Sequence, residues 1–234
     1  MAPVARELSK NLGVLEPLQT ASSIDGQAIE LHDVLEKHGQ LPVTLIGHSW
    51  GAWLSMIFAA RYPEYVNKLI LVGCGPLEEK YALTIIGARL SRLSSGEIQE
   101  VRALTEALNS PGTANKNEIF SRFGKLISKA DTMDPLPDDD EEVAMREEVY
   151  QSVWAEAEEL RRSGELLKII KQVRCPVLAI HGDYDPHPAE GVEKSLRQAV
   201  KDFRFILLKG CGHEPWKERR ARDEFYSILK EELR

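Results

Sequence analysis

Gly47-His48-Ser49-Trp50-Gly51 puts a hydroxyl where it can become a nucleophile. The pentapeptide follows a short apolar run, Leu41-Pro42-Val43-Thr44-Leu45-Ile46. It leads into an apolar helical pattern, Ala52-Trp53-Leu54-Ser55-Met56-Ile57-Phe58-Ala59-Ala60. Strand, Gly-x-Ser-x-Gly, helix is the setting of a nucleophile elbow, whose serine stands on a turn too sharp for ordinary backbone angles. Holding it there costs roughly 1–3 kcal/mol. Small neighbours let strand and helix approach, and Gly47, Gly51 and Ala52 are expected to serve this purpose. The pentapeptide alone arises by chance in roughly one chain in ten of this length. The reading therefore depends on partners elsewhere.

An activated serine needs a base, and the base needs a group that orients it. Cys175-Pro176-Val177-Leu178-Ala179-Ile180-His181-Gly182-Asp183-Tyr184-Asp185-Pro186 is an apolar strand run that ends in an acidic loop. A second run, Phe203-Arg204-Phe205-Ile206-Leu207-Leu208, leads into Gly210-Cys211-Gly212-His213-Glu214-Pro215-Trp216. A parallel sheet brings the ends of its strands to one edge, so Ser49, an aspartate and His213 can meet there. Asp183 and Asp185 compete for the role of the acid. His48, His181 and His187 read as structural or solvent-facing, and Cys211 as packing for its loop. The N–H of Trp50 opens the helix after the serine and is the expected donor to an oxyanion, which the helix dipole also favours.

The chain resembles α/β-hydrolases with a helical cap, in the proline-iminopeptidase-like branch. The elbow, the His-Gly-Asp-Tyr-Asp-Pro loop and the Gly-Cys-Gly-His-Glu-Pro-Trp loop carry the likeness. It covers the chain from about Leu12 to the end, loosely through the cap. The resemblance implies the α/β-hydrolase fold: a mostly parallel sheet, helices on both faces and a helical cap insertion. It implies Ser49 as nucleophile and His213 as general base and acid. Its acid stands three residues after the loop glycine, which selects Asp185. The implied reaction is hydrolysis of an ester or amide through an acyl-enzyme. The branch points to an N-terminal peptide bond, and a small carboxylic ester is equally open. No cofactor and no metal are expected, and the substrate is a small molecule or short peptide.

The front of the family pattern is missing. Family members carry three strands ahead of the first helix, and a His-Gly-type loop that gives the second oxyanion donor. The expectation is an N-terminally truncated sheet and slow turnover, the alternative being a triad-bearing remnant with little or no activity. The elbow strand is then left with an open edge. Either the strand candidate Val14–Leu18 moves in to cover it, or two chains associate as a homodimer.

Several elements must position these residues. Ala2–Leu12 reads as a helix stopped by Gly13, and Val14-Leu15-Glu16-Pro17-Leu18 as a strand weakened by its proline. Ser23 opens a helix to about His38, and 67–73 is a buried strand. This βαβαβ pattern means a parallel sheet. From Pro76 to Ser163 helical periodicity takes over, with helices expected at 83–93, 97–108, 117–127 and 142–162. The organisation is thus a core of 1–75 and 164–234 with a cap of 76–163. Tyr150, Trp154 and the 83–90 stretch are candidates to line the substrate pocket, and their spacing equally suits a core. Strands at 177–181 and 203–208 follow, with helices at 189–200 and 217–233.

With 234 residues, 43% of them hydrophobic, the chain can bury a full core. A net charge of −7 argues against nucleic acid and anionic membranes as partners. Cys74, Cys175 and Cys211 are odd in number and lack metal spacing, which points to a reducing, cytoplasmic setting. No signal peptide is expected, since Met1 leads into Arg6 and Lys10 without an apolar stretch. The 53–60 run is too short to span a bilayer. The acidic run Asp138–Glu142 reads as a solvated loop and helix start.

Overall fold

Two runs, Val66–Val72 and Val177–Gly182, are apolar almost throughout, as expected of strands covered on both faces. In the structure, a computed structural model that describes residues 1–110, 112–137 and 147–234, they lie at the centre of a four-stranded sheet. In chain order the strands are β1 (Val43–His48), β2 (Val66–Val72), β3 (Val177–Gly182) and β4 (Phe203–Leu208). They pair in that order, and every pair is parallel. All six residues of β3 are buried, while β1 and β4, at the edges, are mostly half-buried.

The helices are α1 (Ala2–Leu8), α2 (Ile24–His38), α3 (Trp50–Arg61), α4 (Glu79–Ala82), α5 (Ile85–Leu90), α6 (Ser95–Asn109), α7 (Lys116–Asp131), α8 (Glu147–Arg162), α9 (Glu165–Ile170), α10 (Ala189–Ala199) and α11 (Arg222–Glu232). Strand alternation divides the core in two. Leu69, Leu71, Val177 and Ala179 pack with α2, α3, α8, α9 and α10. Their neighbours Ile70, Val72, Leu178 and Ile180 face the other way, onto α1 and α11. A smaller apolar cluster, Leu93, Val101, Leu126 and Ala130, joins α6 to α7. The helices between β2 and β3 thus have a core of their own, and α8 also reaches the main one through Val153 and Ala157.

Local signals fix several boundaries. The Ser23 hydroxyl accepts the Gly26 N–H and starts α2, and Ser94 with Glu97 forms a capping box on α6. The helix expected at 217–233 starts later, at Arg222, because Pro215–Lys217 forms a 3-10 turn and Glu218 is drawn fully inside. The helix expected at 83–93 is shorter, α5 at Ile85–Leu90, and α4 and α9 are helices that periodicity over so few residues did not reveal. Residues 142–146 and the acidic run at 138–142 lie outside the described residues.

Val14–Leu18 is not a strand. Pro17 has no N–H to give to a ladder. At the end of the segment the Thr20 N–H is already taken by Glu30, at 2.9 Å. Leu18 is 70% exposed. The outer edge of β1 therefore has no strand partner among the described residues.

The contrast between Phe225, wholly buried against α1 and the sheet, and Leu18 is testable. Phe225→Ala should lower stability by about 3–5 kcal/mol. Leu18→Ala should stay within about 0.5 kcal/mol. Urea unfolding checks both, and a large loss for Leu18→Ala would return that segment to the packed sheet.

Candidate active site

β1 ends at His48, and the next residue turns sharply. Ser49 has φ 54° and ψ −116°. Asn115 is the one other non-glycine residue at positive φ among those described. A serine in this region is strained, and the surroundings must hold it there. The Ser49 N–H donates to the Val72 carbonyl of β2 at 3.0 Å, and its carbonyl accepts from Ala52 at 3.1 Å. A side chain at Gly47 would meet the Gly51 carbonyl oxygen at 2.3 Å, so only glycine lets α3 return this close to β1. Gly51 itself has open space where a side chain would stand. Its expected part as a small residue is not needed; its backbone is what fills the gap.

The Trp50 N–H belongs to the first turn of α3, where donors lack helical acceptors. The Trp50 indole donates to Gln27 of α2 at 2.8 Å, and the Gln27 amide donates to the Ala21 carbonyl at 3.0 Å. This tether fixes the residue whose N–H was expected to meet an oxyanion.

The two aspartates after β3 separate clearly. Asp183 accepts the Cys211 N–H at 3.2 Å and lies 3.7 Å from Lys209, so it ties the acid loop to the histidine loop. Asp185 has no side-chain exposure and accepts a hydrogen bond from His213 Nδ1 at 2.8 Å. Its other oxygen accepts from the backbone N–H and Nδ1 of His187, at 2.9 and 2.7 Å.

His213 is held from several sides. Its N–H donates to the Asp131 carbonyl at 2.8 Å, and His48 Nε2 donates to its carbonyl at 3.1 Å. The His48 and His187 rings lie 4.6 and 4.7 Å from its own. Gly73, at φ 52°, passes beneath: a side chain there would come within 2.7 Å of the His213 carbonyl oxygen. Ser49 stands beside His48 at the same edge of the sheet, but its hydroxyl makes no hydrogen bond to His213 in this structure. Sequence reasoning set aside His48 and His187 and did not single out Gly73. Gly73, directly after an apolar strand, carried a signal; the two histidines had none beyond adjacency to Ser49 and Asp185.

Burial alone would raise the pKa of Asp185, but its electrostatic interactions with the His213, His181 and His187 imidazoles and the His187 hydrogen bond hold it well below the usual carboxylate range. Burial would push His213 down. The charge of Asp185 and its hydrogen bond, with Asp131 behind, outweigh burial and raise it. His187 and His48 are both pushed down, first by burial. Burial also raises the thiols of Cys74 and Cys211 and leaves them poor nucleophiles.

The helices between β2 and β3 grip both loops. Glu218, fully buried, accepts the N–H groups of Gly212, Met133 and Asp134, each at 2.8 Å. Arg89 forms a two-pronged pair with Asp131 at 2.8 and 2.7 Å. The Arg92 guanidinium lies 3.8 Å from the centre of the Tyr184 ring. Trp154 stacks between Trp53 and Tyr150 and belongs partly to the main core, whereas Tyr150 is 40% exposed. Among the described residues one group of histidine, cysteine or acidic side chains is close enough to hold a metal ion: Asp185, His187 and His213. Each imidazole Nδ1 there is already matched by a carboxylate oxygen.

The alpha/beta hydrolase fold family matches residues 17–219. Monoacylglycerol lipase abhd6-B of Xenopus laevis is 22% identical over 220 residues, which are 89% of this chain and 62% of that protein. Protein NDRG2 of Homo sapiens is 21% identical over 195 residues, 82% of this chain and 47% of that protein. The chain thus spans between about half and three-fifths of the length of these relatives. The crystal structure of VinJ superposes with a TM-score of 0.63 at 15% identity, covering 90% of this chain and 72% of that one.

Glu218→Leu would leave the buried Gly212 N–H without an acceptor, at about 1–3 kcal/mol, and would also free the part-buried N–H groups of Met133 and Asp134. A loss of several kcal/mol in urea unfolding is expected, and a smaller one for Glu218→Gln, which keeps an accepting oxygen. Equal and small losses would show that water reaches these groups.

Proposed function

The chain belongs to the alpha/beta hydrolase fold family, and from that premise we propose that it is a serine hydrolase acting on a carboxylic ester. Ser49 attacks the carbonyl carbon and forms a new C–O bond while the carbonyl π electrons move to oxygen. His213 takes the hydroxyl proton through Nε2 and then gives it to the leaving alcohol. Asp185 keeps the imidazole in the Nδ1–H tautomer and stabilises its cationic form. Water repeats the sequence on the acyl-enzyme and releases the acid. The Trp50 N–H receives the oxyanion. The observation that carries the reading is the Asp185–His213 hydrogen bond at a sheet edge that also bears a strained serine.

An ester is favoured over an N-terminal amide. An aminopeptidase needs a carboxylate to hold the substrate's ammonium group, and α8 carries five acids, Glu147, Glu148, Glu156, Glu158 and Glu159. Glu156 accepts the Ile24 N–H, Glu158 the Trp154 indole N–H, and Glu159 pairs with Arg162. Glu147 is buried 3.8 Å from Lys116, and Glu148 is exposed. The name of the Xenopus relative is that of a lipase. A second reading, a fold with a triad and little turnover, draws on the missing Ser49–His213 hydrogen bond. The NDRG2 name carries no reaction.

A fluorophosphonate should label wild type at Ser49 and fail on Ser49→Ala. On p-nitrophenyl esters Asp185→Asn should lower kcat about 10⁴-fold with the fold intact. Asp183→Asn should do far less, because its carboxylate only ties two loops. Reversed effects would reassign the acid.

The pH dependence has a definite sign. The base must be neutral, and His213 has a pKa raised above its ordinary 6.5. The kcat/KM profile should therefore rise with pH, with its midpoint above 6.5. Asp185→Asn removes the charge that raises the midpoint and should move it downward. A wild-type midpoint below 6.5 would show that burial outweighs Asp185.

A further inference from the structure

Asp185 serves two imidazoles. One oxygen meets His213; the other is occupied by His187, through both its backbone N–H and its ring. A carboxylate only accepts hydrogen bonds, so each Nδ1 that faces it carries a proton. His187 is pinned in turn. His181 Nε2 donates to the His187 carbonyl at 2.8 Å, and His181 Nδ1 is buried without a partner. His181 also lies 3.6 Å from the Asp185 oxygen that meets His213.

We propose that His187 is a positioning residue for the reaction: it holds one oxygen of Asp185 so that the other stays aimed at His213. The proposal rests on the reading of Asp185 and His213 as the acid–base pair. A carboxylate side chain can rotate about its last bond, and rotation would take the oxygen off His213. The backbone N–H of His187 restrains Asp185 at one point on its own loop. The ring adds a second donor to the same oxygen, with its centre 4.7 Å from that of the His213 ring. The groups facing His187 are Asp185, His213, His181 and, more distantly, the Arg89 cation beside Asp131. Because the ring is buried and neutral, it donates a hydrogen bond without adding a cation. The charge of Asp185 thus remains available to the proton that His213 acquires.

Three variants separate this from a packing role. His187→Phe and His187→Leu fill the space without a donor, and His187→Asn keeps an amide N–H near the place of Nδ1. Proton NMR of the folded protein reads the His213 Nδ1–H directly, as a far-downfield resonance that Asp185→Asn removes. In Phe or Leu variants that melt cooperatively, this resonance should weaken or move upfield, and in His187→Asn it should persist. The fluorophosphonate labelling rate of Ser49 should fall about 10²-fold in the first two, as for other misplaced catalytic groups. His187→Asn should recover most of it. An unchanged His213 resonance in a folded Phe or Leu variant would overturn the proposal, as would equal labelling losses in all three. Failure of the hydrolase reading is distinct: wild type would then not be labelled, while the resonance would still report on His187.

Discussion

Asp185 keeps a full negative charge with its side chain wholly out of water. Such a charge is tolerated only where donors replace the lost hydration, since the effective penalty for an unpaired buried ion is several kcal/mol. Much of the local architecture supplies that compensation. The loop after β3 offers the His187 N–H and ring, and the loop after β4 offers His213. A parallel sheet permits this, because the loops leaving neighbouring strands emerge at the same edge. The same charge raises His213 against the pull of burial, so the most costly group at this edge also equips its neighbour to accept a proton.

A second buried carboxylate does comparable work without facing His213. Glu218 gathers N–H groups from the histidine loop and from the chain leaving α7. The His213 N–H meanwhile donates to Asp131, the last residue of α7, whose carboxylate is held by Arg89 of α5. The helices between β2 and β3 therefore contribute to the geometry of the histidine, not only to the covering of the sheet. A change in their packing would reach His213 through backbone hydrogen bonds, which tolerate little displacement.

The order of strand, elbow and helix was legible because each signal is local: an apolar run, a glycine pattern, a helical period. Ser49, Asp185 and His213 stood out for the same reason, as polar residues just after apolar runs. The choice between Asp183 and Asp185 needed the family likeness, and in the structure hydrogen bonding separates them. What was hidden depends on residues distant in sequence. His187 has meaning only once Asp185 is seen to face two ways. Glu218 reads as part of a charged helix until it is found inside. Val14–Leu18 read as a strand because its apolar residues look the same whether they pack or not; the ladder they required is absent among the described residues.

Tyr150 and Trp154 show how one pattern serves two ends. Helical spacing puts them on one face of α8, and Trp154 continues inward by stacking on Trp53, which is buried and donates its indole N–H to the Gly75 carbonyl. Gly75 follows β2, a few residues beyond the Gly73 that lies under His213. The aromatic column thus runs from an exposed ring to the chain supporting the histidine. Its inner members are fixed by packing and hydrogen bonds, and its outer member is half in solvent. Of the two rings read from the sequence as candidates for a pocket lining, Tyr150 is therefore the one open to solvent, while Trp154 is stacked on the buried Trp53.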